Sequence, residues 1–494
     1  MKLKNLFVVA AMALGLVACS SSDNVIDGID PNLNLNTYVS LSLKFPTPSN
    51  QFTKSLPGDF NSTGETWLGR DKIESVAVFL VNRDKGTVDL TELNSNLAID
   101  NKGVLDPNIV IKTSAGDDID VYAVVNGKKE IINELSSTEA SGFKTQFESV
   151  QDYLVADVTA VKSEDNKIKE VVMMTNSEFK SIKPIKDIKK EEAPNSKNAL
   201  TVPVERVVAR AILTVGDNNE IKNKAGEVIA TVKDIKYVVG QSNKNFYLTK
   251  KEGYLTPEPV YSFIPTGENL SSISANFDNA NLNDFSEVSP ITANTTANLK
   301  EILADEEVSK FVLPVTHEED NYRKGNSTFF EVSAKIVPEA IVGGEDYQEG
   351  DDLFFGSDKK FYTDRDKAIE AGLKVSGFKG GVMKYIIWLN PNDIAKPKTS
   401  PTVRNQVYHA HISGFKEIGL PYNPLNPKDP NTPDVDNPTN PTDPENPENP
   451  DPNTPTNPID PTDPLKTEET YLSVSVQVLE WGIHSYEIDL GNDY

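Results

Sequence analysis

Cysteine is nearly absent: the 494-residue chain has one, Cys19. A single thiol excludes an intrachain disulfide and a cysteine-built metal cluster. Positive charge is also short, with 49 Lys and Arg against 74 Asp and Glu and a net charge of −25. Binding nucleic acid needs a basic stripe to neutralise phosphates, and none offsets the acid here. The balance suits a soluble extracellular or surface protein. Beyond the N-terminus no apolar run is long enough to cross a bilayer as a helix. Histidine is rare, and no Ser-His-Asp or nucleophile-elbow pattern occurs, so the chain does not read as an enzyme. Gly343-Gly344 and Gly380-Gly381 lack a following Lys-Ser/Thr and read as turns rather than phosphate loops. His409 and His411, two apart on a strand, face one side as a metal pair would, but no third ligand is near them, and polar residues on a sheet face are the simpler reading. His317, beside Glu318, Glu319 and Asp320, reads as part of a solvated loop. Gly116-Asp117-Asp118 and Glu349-Gly350-Asp351-Asp352 lack the calcium-loop spacing. No cofactor is expected.

What is present begins with the leader. Lys2 and Lys4 precede an apolar segment, Leu6 to Leu16, too short for a stable span. Leu16-Val17-Ala18-Cys19 then looks like a bacterial lipobox, in which residues 1–18 are removed and the Cys19 thiol carries lipid. Ser20, rather than Asp, follows the cysteine, which argues against retention at the inner membrane. The expected precursor is an exported lipoprotein held at the outer membrane.

The last stretch shows the clearest period. Leu472, Val474, Val476 and Val478 alternate with Ser473, Ser475 and Gln477, the two-residue repeat of a half-buried strand. It stands beyond a proline tract, and a lone strand needs a partner. Near the other end, Thr37-Tyr38-Val39-Ser40-Leu41-Ser42-Leu43-Lys44-Phe45 matches Thr470-Tyr471-Leu472-Ser473-Val474-Ser475-Val476-Gln477-Val478 in type at most positions. Two strands with one pattern fit one groove. Val39, Leu41, Leu43 and Phe45 would occupy it first, as a placeholder, and Leu472, Val474, Val476 and Val478 would be the donor residues that replace them. Trp481, Ile488 and Leu490 have no counterpart in the first strand and would add donor contacts.

Between these ends, Pro46 to Gly69 reads as a long loop carrying Lys54. Strands are expected at Lys72–Val81, Ile109–Lys112, Ile119–Val125, Thr231–Gly240, Asn245–Thr249, Lys310–Val315, Thr328–Val337, Val382–Trp388 and Val407–Ile412. Lys128–Leu135 and Ser141–Val155 have helical spacing. Lys162–Glu192 is highly charged and reads as loop-rich, with Val171 to Met174 a short apolar segment. Val204–Val215 is expected to be a short helix running into a strand, with Arg206 and Arg210 on one face and paired to surface acids. Short strands separated by Gly, Asn and Pro turns point to a mainly β fold of two β-sandwich domains with a few short helices. The expected division is a signal peptide at 1–18, a propeptide with the placeholder strand at 19–54 (extending to 70 if the cut lies there), an N-terminal β-sandwich domain at 71–215, a C-terminal one at 216–420, a Pro-rich linker at 421–466 in extended or polyproline form, and a donor strand at 467–494.

Several segments taken together resemble a known family. Val204-Glu205-Arg206-Val207-Val208-Ala209-Arg210-Ala211, Phe311-Val312-Leu313-Pro314, Tyr322-Arg323-Lys324-Gly325-Asn326, Trp388-Leu389-Asn390-Pro391 and Val403-Arg404-Asn405-Gln406-Val407-Tyr408-His409 are similar to the fimbrilins of Bacteroidales, in particular to Mfa-type shaft subunits of minor fimbriae. The resemblance runs from the lipobox to the C-terminus. It implies transthyretin-like sandwich domains and a fimbrial shaft that polymerises head to tail. A gingipain-like protease would cut the loop after the first strand, that strand would leave, and the C-terminal strand of another copy would take its place. The implied partners are further copies of the chain, accessory tip and anchor subunits, and receptors on host or bacterial surfaces; adhesion and biofilm formation follow from the same resemblance. The family cut follows an arginine. Here the loop holds Lys54, and the first arginine after the leader is Arg70, so both stand as maturation sites. The alternative is a surface lipoprotein that binds glycan or protein without polymerising.

Overall fold

A nine-stranded sheet runs in the order Thr87–Leu93, Val76–Asn82, Ile119–Val125, Met174–Asn176, Ala199–Arg206, Thr37–Lys44, Val104–Thr113 and Ala98–Ile99, with Lys180–Ile182 attached to Ile119–Val125. The computed structural model describes residues 35–45, 62–66, 69–95, 97–99, 104–257, 277–278, 284–292, 294–305, 309–343, 347–373, 375–391, 399–421, 464–465, 475–480 and 482–490. Val76–Asn82 explains the build of this sheet. It is buried along its whole length. Val76, Val78 and Leu80 enter one core with Val39, Leu41, Leu43, Ile109, Ile111, Val202 and Val204. Ala77, Phe79 and Val81 enter another, with Ile131, Ile132 and Leu135 of helix Lys129–Ser136 and Phe143 and Phe147 of helix Ala140–Phe147. Successive side chains of a strand point to opposite faces, so a strand covered on both faces is apolar throughout. The helices cover the outer face through spacings of three and four residues. Tyr122 joins them, its ring centroid 4.8 Å from those of both Phe143 and Phe147.

The second half packs two sheets face to face. One has the core order Gly482–Leu490, Gln406–Phe415, Ala209–Val215 and Ser289–Pro290; the other runs Glu220–Lys222, Val228–Gly240, Phe329–Pro338 and Val382–Trp388. Between them lie Ala211, Leu213, Tyr237, Phe330, Val332, Tyr385, Tyr408 and Ile412, the inward residues of the facing strands. A small sheet, Leu353–Gly356 with Phe361–Tyr362 and Val375–Phe378, carries the helix Arg365–Glu370. The Asp364 carboxylate caps that helix by accepting from the Asp366 and Lys367 amides. No helix among the described residues is long and apolar enough to cross a membrane.

The architecture is the expected mainly β one, and Ile119–Val125 and Val382–Trp388 have the bounds read from their period. Other readings are corrected. Val204–Val215 holds no helix: Ala199–Arg206 and Ala209–Val215 are strands. The apolar residues there are buried on both faces, Ala209, Ala211 and Leu213 in the sandwich core and Val207, Val208 and Ile212 in the helix-covered one, and a doubly buried strand shows no period of two. Ser141–Val155 is not helical throughout: the helix Ala140–Phe147 is followed by the strand Val150–Asp152. The loop-rich segment Lys162–Glu192 also carries order, since Thr159–Glu164 and Lys167–Val172 form a hairpin and two short strands follow. Within Pro46–Gly69, Ser62–Thr66 is a strand.

Leu41 has no exposed surface, and removing it leaves a cavity in a covered core. Leu41→Ala in the uncleaved chain is expected to cost about 2–5 kcal/mol, read from the midpoint of denaturant unfolding.

Candidate functional site

Thr37–Lys44 lies in the interior of the nine-stranded sheet. It pairs in parallel with Ala199–Arg206 from Ser40↔Ala199 to Lys44↔Pro203, and antiparallel with Val104–Thr113 from Thr37↔Thr113 to Lys44↔Val104. The expected placeholder residues Val39, Leu41, Leu43 and Phe45 are all buried, none more than 3% exposed. Removing this strand would open a slot with hydrogen-bonding backbone on both walls and an apolar floor.

The start of the strand is fixed by polar contacts. The Thr37 hydroxyl donates to the Ile185 carbonyl (2.7 Å) and accepts from the Ile188 amide (3.2 Å) and from Asn198 Nδ2 (3.1 Å). Asn198 is fully buried. Its Nδ2 also donates to the carbonyls of Tyr38 (2.9 Å) and Ile185 (3.0 Å), and its Oδ1 accepts from the Ile185 amide (2.8 Å). The Ser40 amide donates to the Asn198 carbonyl (2.9 Å). Farther along, the Ser42 and Thr201 hydroxyls lie 3.1 Å apart.

The chain after the loop is held differently. Arg70 and Arg210 both bind the buried Glu170 carboxylate, and Arg206 binds Asp71. Arg206 Nη1 also donates to Asn405 Oδ1 at 2.9 Å, and Arg404 Nε lies 3.0 Å from Glu205 Oε1. The backbone takes part as well: the Glu170 amide donates to the Arg70 carbonyl (3.0 Å) and the Lys72 amide to the Glu170 carbonyl (2.7 Å). Burial pushes the Glu170 carboxyl up, but Arg210 and Arg70 outweigh it and hold it below its ordinary value. Arg206 and Arg210 therefore pair with buried acids, not with the surface acids expected. Their carboxylates lie far off in sequence, and spacing alone gives no sign of them.

At the other end of the chain, Ser475–Glu480 and Gly482–Leu490 form a hairpin. Gly482–Leu490 lies parallel to Gln406–Phe415 of the same chain, and Ser62–Thr66 pairs with the hairpin. Val476 and Val478 fall on its first strand, Ile488 and Leu490 on its second; the period of two found one strand where there are two. The linker end is seated too. Pro464 bridges Arg323, and Leu465 is buried against Tyr322, Phe329 and Trp388. Cys19, Lys54, Leu472, Val474 and Trp481 lie outside the described residues.

The strand that carries the hairpin also holds both histidines of the expected pair. The Thr214 hydroxyl lies 2.7 Å from His409 Nε2 and 2.9 Å from His411 Nδ1, so it donates to one ring and accepts from the other. Among the described residues no cluster of His, Cys, Asp and Glu is placed to hold a metal ion. His317, expected in a solvated loop, is buried, with Nε2 2.9 Å from the Asn326 carbonyl. Burial lowers His409, and His411 to about 4. A histidine kept neutral in the fold binds fewer protons than the unfolded chain below about pH 6.5, so stability falls as pH drops from there towards the folded value. Thermal melts at pH 7, 5.5 and 4 are expected to show this loss, and the double variant His409→Gln, His411→Gln is expected to flatten it.

Comparison with known proteins now adds to the geometry. Residues 376–487 match the family model described as "Major fimbrial subunit protein type IV, Fimbrillin, C-terminal". Two minor fimbrium subunits Mfa1 from Porphyromonas gingivalis are each 32% identical, over 99% of this chain and 100% of the relative. Among solved structures, a fimbrilin from Porphyromonas gingivalis W83 has 13% identity and a TM-score of 0.43, covering 93% of this chain and 100% of that one. A putative cell adhesion protein from Parabacteroides distasonis has 10% identity and a TM-score of 0.41, covering 92% of this chain and 100% of that one. The 32% identity spans almost the whole of both chains. On that ground the chain belongs to the fimbrilin family, among its minor fimbrium subunits.

Proposed function

We propose that this protein is the structural shaft subunit of a minor fimbrium and that it polymerises by exchanging one strand for another. The observation that carries this reading is the buried interior strand Thr37–Lys44, whose side-chain pattern recurs at Thr470–Val478 of the same chain. In the precursor the slot is filled from within, and the local concentration of a tethered strand favours that state over any outside competitor. Cutting the loop removes the advantage. The C-terminal segment of a second copy then enters as an added strand, with backbone bonds to both walls and Leu472, Val474, Val476 and Val478 in the positions of Val39, Leu41, Leu43 and Phe45. Trp481, Ile488 and Leu490 add contacts that the placeholder lacks. Head-to-tail repetition of one such contact does not close, so it builds a fibre.

Lys54 is the preferred maturation site. Arg70 is only 8% exposed, its side chain is bound to Glu170, and its carbonyl is already in a backbone bond. A protease needs several residues in extended, free form, and Arg70 offers none. The cutting enzyme is a gingipain-like protease with lysine specificity. Residues 71–215 and 216–420 serve as the two domains of the mature subunit, with the boundary moved ahead of Ala209–Val215, which pairs in the second sandwich, and 421–466 serves as the linker. The precursor reaches the outer membrane through lipid on Cys19. In the finished fimbrium the subunit meets accessory tip and anchor subunits, and the fibre supports adhesion to host cells and other bacteria and biofilm growth. No step in this role calls for catalysis or a cofactor.

The own-chain pairing of the C-terminal hairpin also suits a second reading, a surface lipoprotein adhesin for glycan or protein that stays monomeric. Size exclusion after loop cleavage separates the two: the shaft subunit yields heat-sensitive multimers, and the adhesin yields monomers. Deleting residues 470–494 is expected to abolish the multimers; filaments from the deleted chain would refute strand exchange. N-terminal sequencing of mature protein is expected to start at Ser55, with Asp71 the result that restores Arg70 and any other start excluding both. Glu170→Gln loosens the hold on Arg70 and is expected to make that arginine cleavable by trypsin, seen as a second, shorter N-terminus.

A further inference from the structure

Alternation of apolar residues fixes which face of a strand is buried, but it leaves the register open by two. A strand shifted by one residue turns its apolar side chains to the wrong face, whereas a shift of two keeps every one inward. With the donor moved by two, Leu472 stands at position 37, and Val474, Val476 and Val478 still fall on apolar sites. The hydrophobic floor of the slot therefore cannot choose a register.

We infer that Asn198, with the Ile185 carbonyl and the Ile188 amide, is a polar register key that reads Thr470 of the incoming subunit as it reads Thr37 of the precursor. This rests on the strand-exchange reading and adds to it the residues that set the register. The key is built for a hydroxyl. It presents one acceptor and two donors to the Thr37 oxygen, and a hydroxyl both donates and accepts. Asn198 is fully buried, so an apolar residue at this position takes one bond from its amide and one from the Ile185 carbonyl and removes the hydroxyl that the Ile188 amide donates to. In the matched register Thr470 supplies the hydroxyl and Ser475 meets Thr201 as Ser42 does. A two-residue shift in one direction brings Leu472 to the key and Gln477 to Thr201. The opposite shift brings Glu468 to the key and Tyr471 to the position of Ser40, which is buried and small. One register alone places a hydroxyl at the key; the exposed Thr201 contact accepts Ser or Gln alike and serves to report the register.

The test uses the full chain in a Cys19→Ser background, cleaved at the loop. Oxidative crosslinking of Thr201→Cys paired with Ser475→Cys reports the matched register between subunits, and Thr201→Cys paired with Gln477→Cys reports the shifted one. The expected result is crosslinking through position 475. Adding Thr470→Val is expected to cut multimer yield about tenfold, as the loss of a buried hydrogen-bonded group does, and to move crosslinking towards position 477, while Thr470→Ser restores both. Thr37→Val in the uncleaved chain reads the key alone and is expected to lower the melting temperature. Unchanged multimers and an unchanged crosslink pattern in Thr470→Val would overturn the register key while leaving strand exchange intact. Multimers from the chain lacking residues 470–494 would instead overturn strand exchange itself.

Discussion

A strand in the interior of a sheet is bonded on both sides, and the rest of this molecule depends on that condition for Thr37–Lys44. Its loss would strand the donors and acceptors of Val104–Thr113 on one side and of Ala199–Arg206 on the other, and it would bare a core shared with Val78, Leu80 and Ile111. An open slot of this kind has no stable unfilled form in water. Whatever removes the strand must be followed by a replacement. The mixed pairing also dictates direction: an occupant has to run antiparallel to one wall and parallel to the other, so every subunit in a chain of such contacts points the same way.

The ion cluster around Glu170 stands where the loop after Thr37–Lys44 rejoins the body of the protein. Thr37–Lys44 is connected to the body through the loop, and the loop ends at Arg70 and Asp71, both clamped by buried partners. Buried ion pairs add little net stability compared with apolar residues of like size, but removing one partner is costly. That asymmetry suits a fixed point. A pull on the loop would meet a residue whose release leaves Glu170 and Arg210 without their third member.

Much of the scaffold is legible because its strands are runs of β-branched and aromatic residues: Ile119–Val125 and Val382–Trp388 have the bounds expected, and the pattern of Thr37–Lys44 recurs at the other end of the chain. The helix Lys129–Ser136 follows from apolar spacing, while the second expected helix stops at Phe147 and gives way to Val150–Asp152. Reading fails where arginines four apart mimic a helix face or where partners are remote. Ala209–Val215 is apolar on both faces, so its strand nature was hidden, and the arginines beside it looked helical. Asn198 contacts Thr37 across more than a hundred and sixty residues of sequence, and nothing in the residues around it marks it out. Leu465, an apolar residue at the end of a proline tract, was a sign in plain view: a tract made only to reach has no use for a buried leucine.

That leucine changes the scale on which neighbouring subunits meet. The proline tract is long enough to suggest a wide span, yet its far end is seated between Tyr322, Phe329 and Trp388 of its own chain. With Leu465 held there, the slack available to Thr470 is the four residues between them, five steps of the chain and at most about 18 Å when extended. The free tether is then a short one. Two subunits joined through it would stand shoulder to shoulder, and contacts between their bodies would set the stiffness of the fibre.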